Sequence, residues 1–260
     1  MSKFWRFIDT GYNTGPFNMQ FDETLARELL TGNSTPTIRV FRWKPWAISI
    51  GFNQNVSDLD LKKCDERRID VVRRPTGGRA ILHAEELTYS VAMYADNKSI
   101  LELYNSISKG VIRGLGLFGV DTSFQRLQPN FNGLYKKASA VPCFASSAMY
   151  EIEVNGRKLV GSAQRRYRDG IGEVVLQHGS ILTGPAHRQL VDYLTLPDVR
   201  TERELESGLK EKTIDLSEIL GHPVDHAELA CCIRSGFELE WGIKFLEDNR
   251  PVQVPKYAYA

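Results

Sequence analysis

Three stretches of the chain hold residue types that can do chemistry. In VVRRPTGGRAILH (71–83), the Gly77-Gly78 step lets a backbone come close to a ligand where a Cβ would clash. Arg73, Arg74 and Arg79 around it suit an anionic ligand or a polar head group. Arg73 and Arg74 are consecutive at the end of an apolar run, so on a strand they point to opposite faces and at most one faces a pocket. His83 ends the stretch, where it can bond a ligand or pin the backbone. In VPCFASS (141–147), Cys143 follows Pro142 among small polar neighbours, the setting of an accessible thiol on a fixed turn. Lys158 stands just past Asn155-Gly156. An ammonium beside a thiol favours the thiolate, which is the nucleophile. A desolvated lysine can also pass a proton to or from an amine. The plain alternatives are a tight turn with solvated arginines, an inert thiol and a hairpin lysine in water.

The other cysteines offer less. Cys231 and Cys232 fall in a helical pattern with apolar periodicity, which predicts buried structural thiols, whereas Cys64 sits on a charged helix that reads as solvated.

These residues need elements to hold them. WRFID (5–9) reads as a strand, and FNMQFDETLARELL (17–30) as a helix with Phe17, Phe21, Leu25, Leu29 and Leu30 on one stripe. TIRVFRW (37–43) and AISIGF (47–52) read as neighbouring strands across a Lys44-Pro45 turn. A charged helix (58–68), the strand IDVVRR (69–74) and the strand ELTYSVAMY (86–94) follow. Helical spacing of Leu101, Tyr104, Ile107, Val111 and Leu115 predicts a helix over 100–119, then a strand at VDTSFQR and an irregular surface loop over 127–142. In AMYEIEVNGRKLVGSAQRR (148–166) two strand patterns meet at Asn-Gly, the preferred pair of a type I′ hairpin. GEVVLQHGSIL (172–182) is a further strand, and the character after Pro185 is helical. Interspersed hairpins and amphipathic helices point to an α+β fold with mixed, largely antiparallel sheets.

Several classes are excluded or disfavoured. The 33 basic residues nearly cancel the 32 acidic ones, and a net charge of +1 gives no global reason for nucleic-acid binding. There is no Walker-type phosphate loop, no HExxH and no GxSxG, and five scattered histidines give little support for a metal. No secretory signal or membrane span is visible, and four cysteines without CxxC spacing fit free thiols in a reducing cytoplasm.

Taken in order, RRPTGGRAILH, CFASSAMYEIEVNGRKLVGSAQ and LQHGSIL resemble the biotin/lipoate protein ligase and transferase family, along most of the chain from WRFIDTGYN to ELEWG. Within it the pattern is most similar to the single-domain octanoyl-[acyl carrier protein]:protein N-octanoyltransferases. The resemblance implies a class II biotin/lipoyl-synthetase-like α+β catalytic domain over 1–260, with a helical C-terminal segment from about 186, and a tunnel for a medium acyl chain. It implies Cys143 as the acyl-carrying nucleophile and Lys158 as the group that lowers its pKa. It implies Arg73, Arg74, Thr76, Gly77, Gly78, Arg79 and His83 as the acyl and carbonyl pocket, closed by Gly161, Ser162, Ala163, His178 and Gly179.

The donor implied is octanoyl-acyl carrier protein. The acceptor is a lysine of lipoyl domains of 2-oxoacid dehydrogenases or of the glycine cleavage H protein. A cytoplasmic monomer without metal or cofactor is expected, and no nucleic acid or membrane partner. The rival is an ATP- and Mg-dependent lipoate–protein ligase working through a lipoyl-adenylate. Many such ligases carry a further small C-terminal domain, for which the segment after 225 is too short. An octanoyl amidotransferase between carrier proteins is a third reading, and a non-catalytic carrier-binding homologue a fourth, against which Cys143 and Lys158 speak.

Overall fold

The computed structural model describes residues 4–125, 151–169 and 172–246. Cys143 and the irregular stretch 127–142 lie outside the described residues. The elements run β1 (Phe4–Asn13), α1 (Gly15–Leu30), β2 (Thr37–Trp43), β3 (Ala47–Ile50), α2 (Leu61–Glu66), β4 (Asp70–Arg73), β5 (Ile81–His83), β6 (Glu86–Tyr94) and α3 (Ile100–Leu117). They continue with β7 (Ser123–Gln125), β8 (Glu151–Val154), β9 (Arg157–Arg168), β10 (Glu173–Leu182), a 3-10 helix (Pro185–Tyr193), α4 (Val199–Lys212), α5 (Leu216–Leu220), α6 (His226–Trp241) and β11 (Lys244–Phe245).

An eight-stranded sheet has the order β11-β1-β2-β6-β10-β9-β8-β7, and a three-stranded sheet the order β4-β3-β5. In the large sheet β1 runs parallel to both β11 and β2, and every other pair is antiparallel. This is the mixed, largely antiparallel α+β architecture the sequence predicts. One neighbour relation differs: β3 does not pair with β2. Both edges of β2 are occupied, by β1 and β6, so the chain bends at Lys44-Pro45 and β3 founds the small sheet instead.

Period-two alternation divides the large sheet into two faces. Ile38, Val40, Leu87, Tyr89, Val91, Met93 and Val175 join the main core with α3 and α6, whereas Ala92, Val174 and Leu176 pack under Phe21, Leu25 and Leu29 of α1. Thr14 caps α1 by accepting from the Phe17 amide, and Pro16 sits in its first turn, where the missing N–H costs nothing. A Ser99/Glu102 capping box starts α3. Helix α3 meets α6 through small residues, since a Cβ on Gly236 would stand 2.3 Å from the Gly114 nitrogen.

The cysteine expectations reverse. Cys64 is the buried residue of α2, 1% exposed, while Cys231 is exposed and Cys232 half-buried. The inward stripe of α6 runs Leu229, Ala230, Ile233, Gly236 and Phe237, and the two cysteines rotate off it.

Candidate functional site

The two sheets and α1 enclose a cavity with about 380 Å³ of empty space, part of it open to solvent. Its walls are Met19 of α1, Trp43 of β2, Ser49 of β3, Arg74, Ile81 and His83 near β5, Thr88 of β6, Gly161, Ser162 and Ala163 of β9, and His178, Gly179 and Ser180 of β10. Seven of the residues expected in a pocket therefore come together there. Arg73, Thr76, Gly77, Gly78 and Arg79 stand beside it and do not line it.

Arg73 and Arg74 do point to opposite sides. Arg74 is 3% exposed and reaches the cavity, while Arg73 is exposed. Both guanidinium groups hold backbone. Arg73 Nη1 donates to the carbonyls of Gly51, Phe52 and Gln54. Arg74 donates to the carbonyls of Gly77, Arg79 and Ser49 and to Ser49 Oγ. The Gly-Gly step serves the same packing: Gly78 has φ +99°, and its carbonyl would be 2.0 Å from a Cβ on Gly51. Gly77 is different, since a Cβ there would meet nothing within 4 Å.

Two acid–imidazole pairs stand on the α1 side of the large sheet. His83 lies flat on Trp43, with ring centroids 4.0 Å apart and 13° between planes. Its Nδ1 lies 2.9 Å from Glu86 Oε1 and its Nε2 2.7 Å from Ser49 Oγ. Thr88 and Ser180 also donate to Glu86 Oε1, and Trp43 Nε1 donates to Thr88. Burial opposes the Glu86 charge, but His83 and these hydroxyls outweigh it and hold the carboxyl below its usual range.

His178 is built alike. Its Nδ1 faces Asp22 Oδ2 at 3.2 Å, and its Nε2 takes the Thr76 hydroxyl at 2.6 Å, which latches the Gly-rich loop to β10. Burial pushes the His178 pKa down against the pull of Asp22, so the ring is neutral at neutral pH. Asp22 stays ionised because Arg39 (2.8 Å), His178 and Ser90 overcome the burial that would raise its pKa. Arg39 lies between the Phe21 and Phe41 rings.

Lys158 is buried at 3% exposure on β9, three residues before the cavity-lining Gly161, with its ammonium on Glu151 of β8. Solvent is not its neighbour, as a plain hairpin flank would require. Among the described residues no group of three His, Cys, Asp or Glu is placed to hold a metal, and no helix is long and apolar enough to cross a membrane.

The sequence reading missed Asp22, Ser49, Glu86, Thr88 and Glu151. A signal existed for two of them: in ELTYSVAMY the polar residues Glu86, Thr88 and Ser90 alternate with apolar ones, yet the whole row except Tyr94 is buried. A polar row facing inward marks a lined cavity rather than a wet face.

Comparison with known proteins adds the lineage. Residues 14–238 match the lipoyl protein ligase A/B catalytic domain. Octanoyltransferase LipM of Halalkalibacterium halodurans is 36% identical, over 98% of this chain and 94% of that one. The LipM of Kyrpidia tusciae is 38% identical and that of Bacillus subtilis 34%, each over 90% of this chain and 85% of theirs. A bipartite lipoate protein ligase from Thermoplasma acidophilum superposes with a TM-score of 0.72 at 20% identity, covering 94% of this chain and 86% of that one. A lipoate-protein ligase A bound with ATP gives 0.72 at 21%, covering 95% and 89%. At these identities the two structures establish the fold alone.

Proposed function

Because the chain belongs to the lipoyl protein ligase A/B catalytic-domain family, we propose that it is an octanoyltransferase of lipoate biosynthesis that works through a thioester on Cys143. The observation that carries the activity is full-length similarity to octanoyltransferases, 36% identity over 98% of the chain. The cavity supports it: Met19, Trp43, Ile81 and Ala163 offer an apolar lining, and Arg74, His83 and His178 make part of the wall polar.

The Cys143 thiolate attacks the thioester carbonyl of octanoyl-acyl carrier protein, and the phosphopantetheine thiol leaves with a proton. A lysine amine of a lipoyl domain or of the glycine cleavage H protein then attacks the Cys143 thioester. The amide forms, the amine proton is lost and the cysteine is regenerated. Lys158, buried three residues before the cavity wall, supplies positive charge that favours the thiolate. Backbone N–H groups of the Gly77-Gly78 or Gly161–Ala163 segments receive the developing oxyanion. Arg73, Thr76, Gly78 and Arg79 shape the mouth by holding the 51–54 and 74–79 backbones together. A thioester lies uphill of an amide, so no ATP is consumed, and no step calls for Mg. The enzyme works as a monomer in the reducing cytoplasm, in keeping with the free thiols of Cys64, Cys231 and Cys232.

Intact mass spectrometry after incubation with octanoyl-acyl carrier protein, without ATP, tests this. An octanoyl adduct that disappears in Cys143→Ala is expected. No adduct, with ATP-dependent labelling of the acceptor from free lipoate, would make the protein a ligase. Transfer from octanoylated H protein in place of the acyl carrier protein would make it an amidotransferase.

A further inference from the structure

The ladder between β8 and β9 is not regular. Glu153 pairs with Lys158 and Ile152 with Val160, so Leu159 is an extra residue without a cross-strand partner. Such a bulge re-aims side chains. Here it lets Leu159 and Val160 both join Ile152 in the core, while Lys158 keeps to the face of Glu151 and Glu153. The backbone at this point is also held from outside the hairpin. The Ile214 amide donates to the Lys158 carbonyl at 3.0 Å, and Arg157 donates to the Thr213 carbonyl at 2.9 Å and pairs with Glu218.

Within this frame Lys158 Nζ donates to Glu151 Oε1 at 2.5 Å, with the two side chains 4% and 5% exposed. Glu153 is buried too, but burial first and then the Glu151 charge push its pKa up against the pull of Lys158. Glu151 is the carboxylate in direct contact with the ammonium. A lysine buried without a carboxylate sheds its proton or leaves its site.

We infer that Glu151 is a positioning residue of the transfer reaction: its carboxylate fixes Lys158 Nζ at the end of the bulged strand and keeps it an ammonium, and through Lys158 it sets how readily Cys143 ionises. This rests on the Cys143–Lys158 reading above. Glu151 forms and breaks no bond with substrate. It acts by keeping one charge in one place.

The test is the pH dependence of Cys143 alkylation by iodoacetamide, followed by peptide mass spectrometry so that the other three cysteines do not interfere. The proteins are the wild type, Glu151→Gln, Glu151→Asp, Lys158→Met and the Glu151→Gln/Lys158→Met double variant, each checked by circular dichroism. Glu151→Gln is expected to slow alkylation at pH 7 about tenfold, a rise of about one unit in the thiol midpoint. Glu151→Asp restores most of the rate, and Glu151→Gln adds nothing once Lys158 is Met. In acyl transfer, kcat falls while KM for the octanoyl donor stays within about twofold. A Glu151→Gln profile that superimposes on the wild type overturns the inference, as does an equal slowing in the Lys158→Met background. Failure of the underlying reading looks different. There the wild type forms no octanoyl adduct on Cys143, or Lys158→Met leaves its alkylation unchanged.

Discussion

Gly51 and Gly78 meet backbone to backbone: a Cβ on Gly51 would stand 2.0 Å from the Gly78 carbonyl oxygen and 3.2 Å from the Gly77 carbonyl carbon. The contact closes the arginine-glycine loop onto the end of β3, where Arg73 and Arg74 tie the same segments by their carbonyls. Gly51→Ala therefore has no room unless the loop moves, and overpacking of this kind costs about 1–3 kcal/mol. Gly77→Ala meets open space and leaves stability within about 0.5 kcal/mol. Urea unfolding of the two variants side by side checks the contrast; equal losses would refute it.

Asp22 and Arg39 form an ion pair at 2.8 Å with both side chains 0% exposed. Asp22→Ala leaves the guanidinium buried without its counter-charge, at about 3–5 kcal/mol. It also frees the His178 ring from the carboxylate that orients it. Chemical denaturation reads the loss, and a change below about 1 kcal/mol would show that the pair is not a structural keystone.

His187, 3% exposed and 2.8 Å from Thr213 Oγ1, has its pKa lowered to about 4, first by burial. A folded-state pKa below the unfolded value of 6.5 means the unfolded chain binds the proton more tightly. Its contribution is present above pH 6.5 and is lost as pH falls toward 4, up to about 3 kcal/mol in full. Unfolding free energy measured from pH 7 to pH 4.5 should decline, and less steeply in His187→Gln. His178 adds a slope of the same sign, so the variant flattens the curve without levelling it. Parallel curves for the two proteins would contradict the assignment.

Ala163 lines the cavity on β9 opposite His178. Ala163→Leu puts three further carbons into that space. We expect acyl-enzyme formation from octanoyl donors to fall at least about tenfold, the order of a lost methylene-scale fit, while shorter donors lose less. An unchanged rate ratio between hexanoyl and octanoyl donors would place the acyl chain elsewhere.

Much of this molecule is legible from local pattern. Asn155-Gly156 predicts a type I′ turn because that turn needs positive φ at both positions, and the two residues have φ 51° and 75°. ELTYSVAMY becomes β6 with no change of boundary. What local pattern does not carry is competition between distant partners. Whether β3 can join β2 depends on β1 and β6 already flanking it, and neither is visible from the Lys44-Pro45 step. The neighbours of Cys64 read as solvated, yet a six-residue helix rich in charge still needs one inward residue, and here it is the thiol. The site was legible where it rests on glycine and motif order. It was opaque where single polar residues from α1, β3 and β6 converge, since each alone reads as ordinary.

The place of β1 sets an order of events for a chain made from its N-terminus. Its strand pairs on one side with β2, about 30 residues on, and on the other with β11, where Phe4 faces Lys244, Trp5 faces Phe245 and the Leu246 amide reaches the Trp5 carbonyl. During synthesis the second edge of β1 stays open until some 240 residues have followed it out of the ribosome. An open edge bearing Trp5 and Phe7 invites strand pairing between nascent chains. Closing it brings together residues far apart in sequence, the kind of contact that slows folding. Expression at lower temperature or with a chaperone that shields apolar edges should therefore raise the soluble yield of full-length protein, and a version cut just before Lys244 should aggregate even though its cavity wall is untouched.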